Sequence, residues 1–498
     1  MKLHTYLQLD ATDMTKLIQR KEVQPSELIE LSFEQLEKVN PTLNAVTHSR
    51  KEKVLEEAKQ FNVDNRPFAG VPFLLKNISQ SLKDEPITSG SRLFQSVISD
   101  HDSHLVSKIR EAGFLFTGHT NAPEFGLKNI TEPVLYGPSR NPWNADYSPG
   151  GSSGGAAAAI ASGIVPMAGA SDGGGSIRIP ASFSSLFGLK PTRGRTPVGP
   201  GVGRQWQGAS IDFVLSRSVR DSAAMLDALQ VIQQAAAFQT PLLTGSSIKT
   251  LNESFQKPLK IAFTTKSPVG TRVSEEAEFA VNKIVTWLEN EGHIVVEQEN
   301  GVDGTQLMKD YFLMNSGEIS TLIEQLERAI GRSITADDVE IETWLLNEAG
   351  KSVSASQFSA SLASWDIAAA KMATLHETYD FYITPATAFT APKIGELTHT
   401  VMEQEQLREQ MRMAVGSEQQ QSLIWDMFLP SLTYTPFTQL ANLTGQPAIS
   451  VPVHLSKEGL PLGVQVMAQK GEERRLLQLA AQLEQTSLWV GMKGNPLL

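Results

Sequence analysis

The sequence contains no cysteine among its 498 residues. This absence excludes disulfide bonds, thiolate nucleophiles and cysteine-based zinc sites. His101 and His104 have the H-x-x-H spacing of some metal ligands, but no third ligand accompanies them, and we interpret them as a solvated helix start. We therefore expect chemistry that uses no metal and no other cofactor.

The sequence also lacks an excess of positive charge and a long apolar run. Its 43 basic residues are outnumbered by 54 acidic ones, and the formal net charge is −11, whereas nucleic-acid-binding proteins usually carry a basic field. The most apolar C-terminal stretch, 422–437, is interrupted by Asp426 and two prolines and is too short to span a bilayer. The N-terminus lacks the pattern of a secretory signal. We expect a cytoplasmic monomer or homodimer that binds neither nucleic acid nor membrane.

What the sequence does contain is a regular alternation of strand-like and helix-like segments. Residues 10–60 are predicted to be helical, with Pro25 at a helix start and Asn40-Pro41 at its end. From residue 70 onward, apolar runs typical of buried strands alternate with helical patterns. The interpreted strands are 70–75, 114–118, 164–170, 259–265, 293–299, 381–386, 447–453 and 462–468. This order favours one α/β/α sandwich with a central mixed β-sheet, a single domain spanning 1–498.

Glycine is concentrated in two clusters, and the second raises a specific question. In ASDGGGSIRIPA (170–181), three consecutive glycines precede Ser176. Glycine loses more backbone freedom on folding than any other residue, so we interpret the run as a backbone that presents N–H groups to a ligand oxygen. Ser176 would lie where these N–H groups and a helix N-terminus converge, which suits the stabilisation of an oxyanion. The alternative is a glycine-rich turn with a capping serine.

The first glycine cluster and one lysine supply further candidates. Residues 150–154 match G-x-S-x-G, the nucleophile elbow of α/β-hydrolases, but that motif needs a preceding strand, and 141–149 has the composition of a loop. Lys76 follows the apolar run GVPFLL. Burial would disfavour its ammonium form and lower its pKa, which makes it a candidate general base. The alternative is a surface lysine just beyond a strand.

Five segments occur in the order and spacing of the amidase signature family. They are GVPFLLKN (70–77), TGHTNAPEFG (117–126), SPGGSSGGAAAAIASG (148–163), SDGGGSIRIPASFSSLFGLKPTRGR (171–195) and LTGQPAISVPV (443–453). The sequence resembles this family over about residues 10–490, and within it most resembles the 6-aminohexanoate cyclic dimer hydrolases. The resemblance implies an amidase, a hydrolase acting on carbon–nitrogen bonds of linear or cyclic small-molecule amides without a cofactor.

The resemblance also implies a Ser–cis-Ser–Lys triad. Ser176 is then the nucleophile, Ser152 the bridging serine and Lys76 the base, and the peptide bond between Gly151 and Ser152 is cis. Ser176 would form an acyl-enzyme that water hydrolyses. The oxyanion hole implied by the resemblance uses the N–H groups of Gly173, Gly174, Gly175 and Ser176.

Other residues have supporting roles by the same resemblance. Asp172 and Arg178 are expected to hold the loop in a charge-assisted network, with Ser153 in support, and the alternative for this pair is an ordinary surface ion pair. For substrate binding we expect the carbonyl near Gly126, together with Leu127 and Trp206. We also expect Phe125 and residues 422–437 to contribute to an apolar acyl pocket. Three positions depart from the usual family residues without touching the triad, namely His119, Ala156 and Gly173.

Two other functions remain open on the sequence. The glutaminase subunit of a tRNA-dependent amidotransferase shares the triad, but it needs partner subunits and groups that recognise the α-amino and α-carboxylate groups of glutamine. A catalytically silent binding protein of the same fold is the second alternative. The presence of all three triad residues argues against it.

Overall fold

One 11-stranded β-sheet forms the centre of the computed structural model, which describes residues 1–498. The strands are β1 (Val46–Ser49), β2 (Pro72–Lys76), β3 (Leu115–Thr120), β4 (Met167–Asp172), β5 (Phe187–Lys190), β6 (Ile211–Ser216), β7 (Lys260–Phe263), β8 (Ile294–Glu297), β9 (Phe381–Pro385), β10 (Ala448–Leu455) and β11 (Pro461–Ala468). Their order across the sheet is β1-β3-β2-β4-β6-β5-β10-β11-β9-β7-β8. The central strands are buried on both faces, whereas β1, β7 and β8 at the edges of the sheet are partly exposed.

The sheet is mixed, as the sequence predicts. Strand β2 pairs in parallel with β3 and β4, and β7 pairs in parallel with β8 and β9. The remaining neighbours are antiparallel, including β4 with β6 and β10 with β11. Parallel neighbours need long crossover connections, which the intervening helices supply. The predicted α/β class with a central mixed sheet is confirmed.

Helices flank the sheet. They are α1 (Leu3–Gln8), α2 (Ala11–Gln19), α3 (Pro25–Leu43), α4 (Lys51–Lys59), α5 (His104–Glu111), α6 (Gly154–Ala161), α7 (Arg178–Ser184), α8 (Val219–Leu229), α9 (Ser247–Thr250), α10 (Glu275–Asn290), α11 (Gly304–Ile330), α12 (Ile341–Gly350), α13 (Ala355–Thr378), α14 (Val401–Met413), α15 (Gly416–Tyr434), α16 (Gln439–Thr444) and α17 (Glu473–Glu484). None of them combines the length and the apolar character that a membrane crossing requires.

Two details of the N-terminal prediction are wrong. Helix α3 does not end at Asn40-Pro41 but continues to Leu43, because Pro41 lies in its last turn and Asn44, in the left-handed conformation, ends it. The segment predicted to be helical also contains β1. The side chain of Asn40 accepts hydrogen bonds from the N–H groups of Ala45 and Val46, which turns the chain from the helix into that strand.

Small side chains bring the first serine cluster close to the sheet. Helix α6 is entirely buried and consists of glycine, alanine and one isoleucine. A Cβ atom added to Gly155 would lie 2.5 Å from the main chain of Asn121, so a larger residue does not fit there. A second apolar core lies among α11 to α15 and includes Trp206 and Leu127 at its edge. The candidate site lies between this helical layer and the ends of the central strands.

Candidate active site

Lys76 is the last residue of β2 and its side chain is completely buried. Its Nζ atom lies 2.7 Å from Ser152 Oγ and 2.7 Å from Ser171 Oγ. Burial lowers the pKa of Lys76 from 10.5 to about 7, while the nearby carboxylates of Asp212 and Asp172 act in the opposite direction. The alternative of a surface lysine is wrong. A substantial fraction of this amine is neutral at pH 7, so it has a lone pair that can accept a proton.

Ser152 lies two residues before the start of helix α6, and the Gly151–Ser152 peptide bond is cis, as the resemblance implies. Only glycine fits at position 151, because an added Cβ would lie 2.7 Å from the main chain of Ile130. The next residue, Ser153, joins this turn to β4. Its hydroxyl donates to the carbonyl of Ser171 and accepts from the N–H of the same residue, each at 3.3 Å.

Ser171 is a polar contact of Lys76 that the sequence analysis does not identify. It lies in β4, next to β2 in the sheet, and one residue before Asp172. The sequence does contain a pattern that could have predicted this contact, since β2 and β4 are both apolar runs that end in polar residues. Neighbouring parallel strands bring such ends to one edge of the sheet. The second hydrogen bond fixes the Lys76 amine from another direction.

The residues of the glycine loop, 173–176, differ in the use of their N–H groups. The N–H of Gly175 donates to Asp172 Oδ1 at 2.8 Å. The N–H groups of Gly173, Gly174 and Ser176 form no hydrogen bond within the protein. The same three residues line the cavity described below, and Gly175 does not. The expectation that Gly175 supplies an oxyanion donor is therefore corrected: its N–H is already engaged by a carboxylate.

Asp172 and Arg178 form a completely buried ion pair. Arg178 Nε and one terminal nitrogen donate to the two carboxylate oxygens at 2.9 and 2.8 Å. Burial by itself raises the pKa of Asp172, but the charge and hydrogen bonds of Arg178 outweigh it and hold the pKa at about 2. The alternative of a surface ion pair is wrong. The pair fixes the start of α7 against the glycine loop, since Asp172 also accepts from the N–H of Ile177.

A cavity of about 470 Å³ brings the predicted site residues together. Ser152, Ser171 and Ser176 lie in its wall, although no hydrogen bond joins Ser152 Oγ to Ser176 Oγ. The predicted substrate-binding residues Phe125, Gly126, Leu127 and Trp206 line it as well, as do Phe428, Ser431, Leu432 and Thr435 from the stretch 422–437. A Cβ added to Gly126 would lie 3.2 Å from Ser152 Oγ, so this glycine leaves room beside the serine.

The cavity wall is mostly apolar or uncharged. Its one side chain of the Lys, Arg, Asp, Glu or His type is Lys128, which is buried and donates to Glu340 Oε2 at 2.6 Å. The indole of Trp206 donates to Asn315 Oδ1 at 2.7 Å, which holds the glycine-rich segment before β6 against α11. The cavity therefore offers neutral hydrogen-bonding groups and apolar surface rather than free charge.

The histidines do not form a metal site. His104 begins α5 and is exposed, and His101 is also exposed, which confirms the predicted solvated helix start. His119, one of the departures from the family pattern, is buried in β3 next to β2, and burial lowers its pKa to about 4. No group of three or more histidine, aspartate or glutamate side chains is placed to hold a metal ion.

Comparison with known proteins gives consistent matches over nearly the whole chain. The model of the Amidase family matches residues 27–477. The lipoamidase of Enterococcus faecalis is 40% identical over 480 residues, which cover 96% of this chain but 63% of that protein. The chain thus spans less than two thirds of the length of this relative. A 6-aminohexanoate-cyclic-dimer hydrolase of Paenarthrobacter ureafaciens is 35% identical over 492 residues, covering 97% of this chain and 96% of the relative.

A solved structure of 6-aminohexanoate cyclic dimer hydrolase superposes with a TM-score of 0.85 at 34% identity, and 96% of each chain is covered. Two conclusions of the sequence analysis are confirmed by these matches, namely the family resemblance and the class of enzyme, a hydrolase of carbon–nitrogen bonds in amides. The family model, the relatives and the solved structure agree with the serine clusters and the buried lysine, and the chain belongs to the amidase family.

Proposed function

We propose that the protein hydrolyses a carboxamide through a Ser176–Ser152–Lys76 triad and an acyl-enzyme intermediate. The observation that carries this proposal is the setting of Lys76. Its amine is completely buried, has a pKa of about 7 and lies 2.7 Å from Ser152 Oγ, and Ser152 lines the same cavity as Ser176. A neutral amine in contact with a serine is the arrangement that activates a hydroxyl nucleophile.

The proposed reaction begins with two proton transfers. Neutral Lys76 accepts the proton of Ser152 Oγ while Ser152 Oγ accepts that of Ser176, and Ser176 Oγ attacks the amide carbonyl carbon. The carbonyl π electrons move onto its oxygen, which accepts hydrogen bonds from the free N–H groups of the glycine loop. The same relay run in reverse protonates the departing nitrogen as the carbon–nitrogen bond breaks. Water then attacks the ester by the same steps, releases the acid and restores Ser176.

The cavity wall supports an uncharged substrate with an apolar acyl part. Moving a charged group out of water without a partner is costly, and Lys128, the one lysine of a wall that contains no arginine, carboxylate or histidine, is already paired with Glu340. Lipoamide and the 6-aminohexanoate cyclic dimer are test substrates suggested by the names of the relatives. Turnover of these amides by the purified protein, compared with aryl amides and with aliphatic amides of increasing length, tests the substrate class.

The lack of free charged groups in the cavity wall argues against the glutaminase alternative. Free glutamine carries an α-ammonium and an α-carboxylate group, and the cavity wall offers neither a carboxylate nor a guanidinium to receive them. We infer that the protein acts on its substrate without partner subunits. Glutamine belongs in the substrate panel for this reason, and hydrolysis of glutamine that depends on an added partner protein would favour the alternative.

Covalent labelling separates an enzyme from a silent binding protein. A fluorophosphonate should add one group to the wild-type protein, and peptide mapping should place it on Ser176. Ser176→Ala should neither be labelled nor turn over substrate, whereas Ser222→Ala, at a buried serine of α8, should behave as wild type. An adduct on Ser152 would instead support the nucleophile-elbow interpretation, and the absence of any adduct would support a binding protein.

We also propose that residues 1–498 act as one domain, in the cytoplasm, as a monomer or homodimer. All eleven strands belong to a single sheet, which supports the first part of this proposal. Light scattering combined with size-exclusion chromatography measures the oligomeric state directly.

A further inference from the structure

Every peptide unit of the glycine loop has its carbonyl oxygen held by another group. The carbonyl of Asp172 accepts from Asn442 Nδ2 at 2.8 Å, and that of Gly175 accepts from the N–H of Ile179 at 2.7 Å. The carbonyl of Gly173 accepts from the hydroxyl of Tyr311 at 2.9 Å. The carbonyl of Gly174 accepts from Thr438 Oγ1 at 2.7 Å. Tyr311 and Thr438 are thus the two side-chain hydroxyls that hold the loop from outside.

These hydrogen bonds determine the direction of the N–H groups. A trans peptide unit is planar, and its C=O and N–H bonds point in opposite directions. When Tyr311 holds the carbonyl of Gly173 on one side, the N–H of Gly174 points to the other side, where it has no partner and lines the cavity. The Gly174–Gly175 unit is held at both ends, by Thr438 at its oxygen and by Asp172 at its N–H.

The two hydroxyls also explain why two of the glycines are needed. A Cβ added to Gly175 would lie 2.2 Å from Thr438 Oγ1, and one added to Gly174 would lie 3.3 Å from the hydroxyl oxygen of Tyr311. A side chain at position 175 would displace the Thr438 hydroxyl from its carbonyl, and one at position 174 would press on the Tyr311 hydroxyl. Glycine, however, leaves the backbone free to rotate. The orientation of the peptide units in this loop therefore depends on hydrogen bonds from outside the loop, because glycine has no side chain to limit backbone rotation.

We propose that Tyr311 is a positioning residue for the oxyanion donor N–H of Gly174, acting through the carbonyl of Gly173, and that Thr438 supports the same donor by fixing the adjacent Gly174–Gly175 unit through the carbonyl of Gly174. This inference rests on the proposed function, since it assumes that the free N–H groups of the loop stabilise the oxyanion. Tyr311 comes from α11 and Thr438 directly precedes α16, so two distant parts of the chain set the geometry of a loop that follows β4. Both residues are buried, and Tyr311 also lines the cavity.

The test removes each hydroxyl while keeping the volume of the side chain. In Tyr311→Phe the ring remains in the cavity wall, and in Thr438→Val the side chain keeps its shape. Oxyanion donors act in the transition state more than in the ground state, so kcat should fall about 10- to 100-fold while KM changes less than about threefold. Affinity for a boronic acid that forms a tetrahedral adduct with Ser176 should fall by the same factor as kcat, and affinity for a non-reactive substrate analogue should not. Thr438→Ser keeps the donor and should retain most of the activity.

Matched controls exist elsewhere in the chain. Tyr6 is a buried tyrosine whose hydroxyl donates to the carbonyl of Ile164 at 2.7 Å, and Thr15 is a buried threonine that donates to the carbonyl of Ala11 at 2.9 Å. Tyr6→Phe and Thr15→Val lose the same kind of hydrogen bond far from the loop. They should show wild-type kcat and boronate affinity, with thermal melting as the measure of folding in all variants.

Three results would overturn the inference: an unchanged kcat in Tyr311→Phe, equal losses of affinity for boronate and substrate analogue, or equal losses of kcat in the control variants. If Thr438→Val does not fold, Tyr311→Phe and Thr438→Ser decide between the outcomes. The failure of the proposed function is recognised separately, because the wild-type protein would then carry no label on Ser176. A labelled, active wild-type protein with fully active Tyr311→Phe and Thr438→Val variants would refute this inference alone.

Discussion

The pH dependence of hydrolysis should respond to a buried carboxylate near Lys76. Asp212 lies in β6, accepts hydrogen bonds from Ser79 at 2.7 Å and Gln205 at 2.8 Å, and its charge raises the pKa of Lys76. The pKa of Asp212 is itself raised by burial, against which these two hydrogen bonds and the charge of Lys76 act. Asp212→Asn removes the charge with almost no change in volume. The pKa of Lys76 should then fall below its present value of about 7.

The size of the effect follows from the ionisation of the amine. In the proposed mechanism neutral Lys76 is the active form, so kcat/KM should rise with pH and level off above the pKa of Lys76. With a pKa of about 7, the neutral fraction is about one tenth at pH 6 and about nine tenths at pH 8, so kcat/KM should rise about tenfold between them. Removal of a nearby opposite charge shifts a pKa by about one to three. Asp212→Asn should therefore move the inflection by at least about one pH unit to lower pH.

The assay is a kcat/KM–pH profile from pH 5 to 9 for the wild type and the variants. Two other buried groups near the site titrate in this range. Burial lowers the pKa of Lys190 to about 7, and burial together with Glu340 raises the pKa of Glu124 to about 7. Lys190→Met and Glu124→Gln are the matched controls, and both should keep the inflection of the wild type.

An inflection in Asp212→Asn that stays in place or moves to higher pH would refute the assignment of the profile to Lys76. Disappearance of the inflection in one of the two controls would assign it to the residue changed there. Lys76→Arg provides a separate check, because a guanidinium does not lose its proton near neutral pH. A folded Lys76→Arg protein should lose far more than about tenfold in kcat/KM, and one that keeps more than that tenth would exclude Lys76 as the base.

Three further predictions concern the groups around the triad. Asp172→Asn leaves Arg178 buried without its counter-charge, so the free energy of unfolding should fall by about 3–5 kcal/mol, and an unchanged denaturation midpoint would contradict this role of the pair. Gly173→Ala should keep most of the activity because its Cβ would meet nothing closer than 3.5 Å. Gly175→Ala should abolish fluorophosphonate labelling, because position 175 has a φ of +128° and its Cβ would lie 2.2 Å from Thr438 Oγ1. Equal activity of the two variants would be evidence against the loop geometry. Dialysis against a chelator should leave turnover unchanged, and activity that is lost and then restored by zinc would show a metal requirement.

The sequence predicts most of the strands because an apolar run buried on both faces has a simple pattern. The three strands it misses lack that pattern. Strand β1 reads VTHS and lies in a helical region, β5 reads FGLK and follows the helix α7 with two residues between them, and β6 has Asp212 near its start. Such short or polar strands form because their neighbours in the sheet supply the hydrogen bonds. The pairing of β6 with β4 and β5 is a long-range contact that local sequence does not encode.

The same distinction applies to the candidate site. Lys76, Ser152 and Ser176 lie in contiguous motifs whose spacing can be compared with a family, so the sequence alone was enough to place them. Residues that act through the fold were missed. Ser171 and Asp212 are direct partners across β4 and β6, although 41 positions separate them in sequence. The sequence also does not show which N–H groups of the glycine loop remain free, because this depends on the N–H group from which the Asp172 carboxylate accepts a hydrogen bond.

The buried charges explain why Lys76 is able to be neutral at all. An isolated carboxylate near a buried ammonium would favour the charged lysine and remove the base. Asp212 acts in this direction, and Asp172 would add to it, but Arg178 donates to both oxygens of Asp172, so the charge of Asp172 is largely balanced before it acts on Lys76. Desolvation is then the largest influence on the pKa of Lys76. The Asp172–Arg178 ion pair and the buried amine are therefore parts of one electrostatic arrangement, in which Arg178 favours the neutral form of Lys76, the proposed base, without touching it.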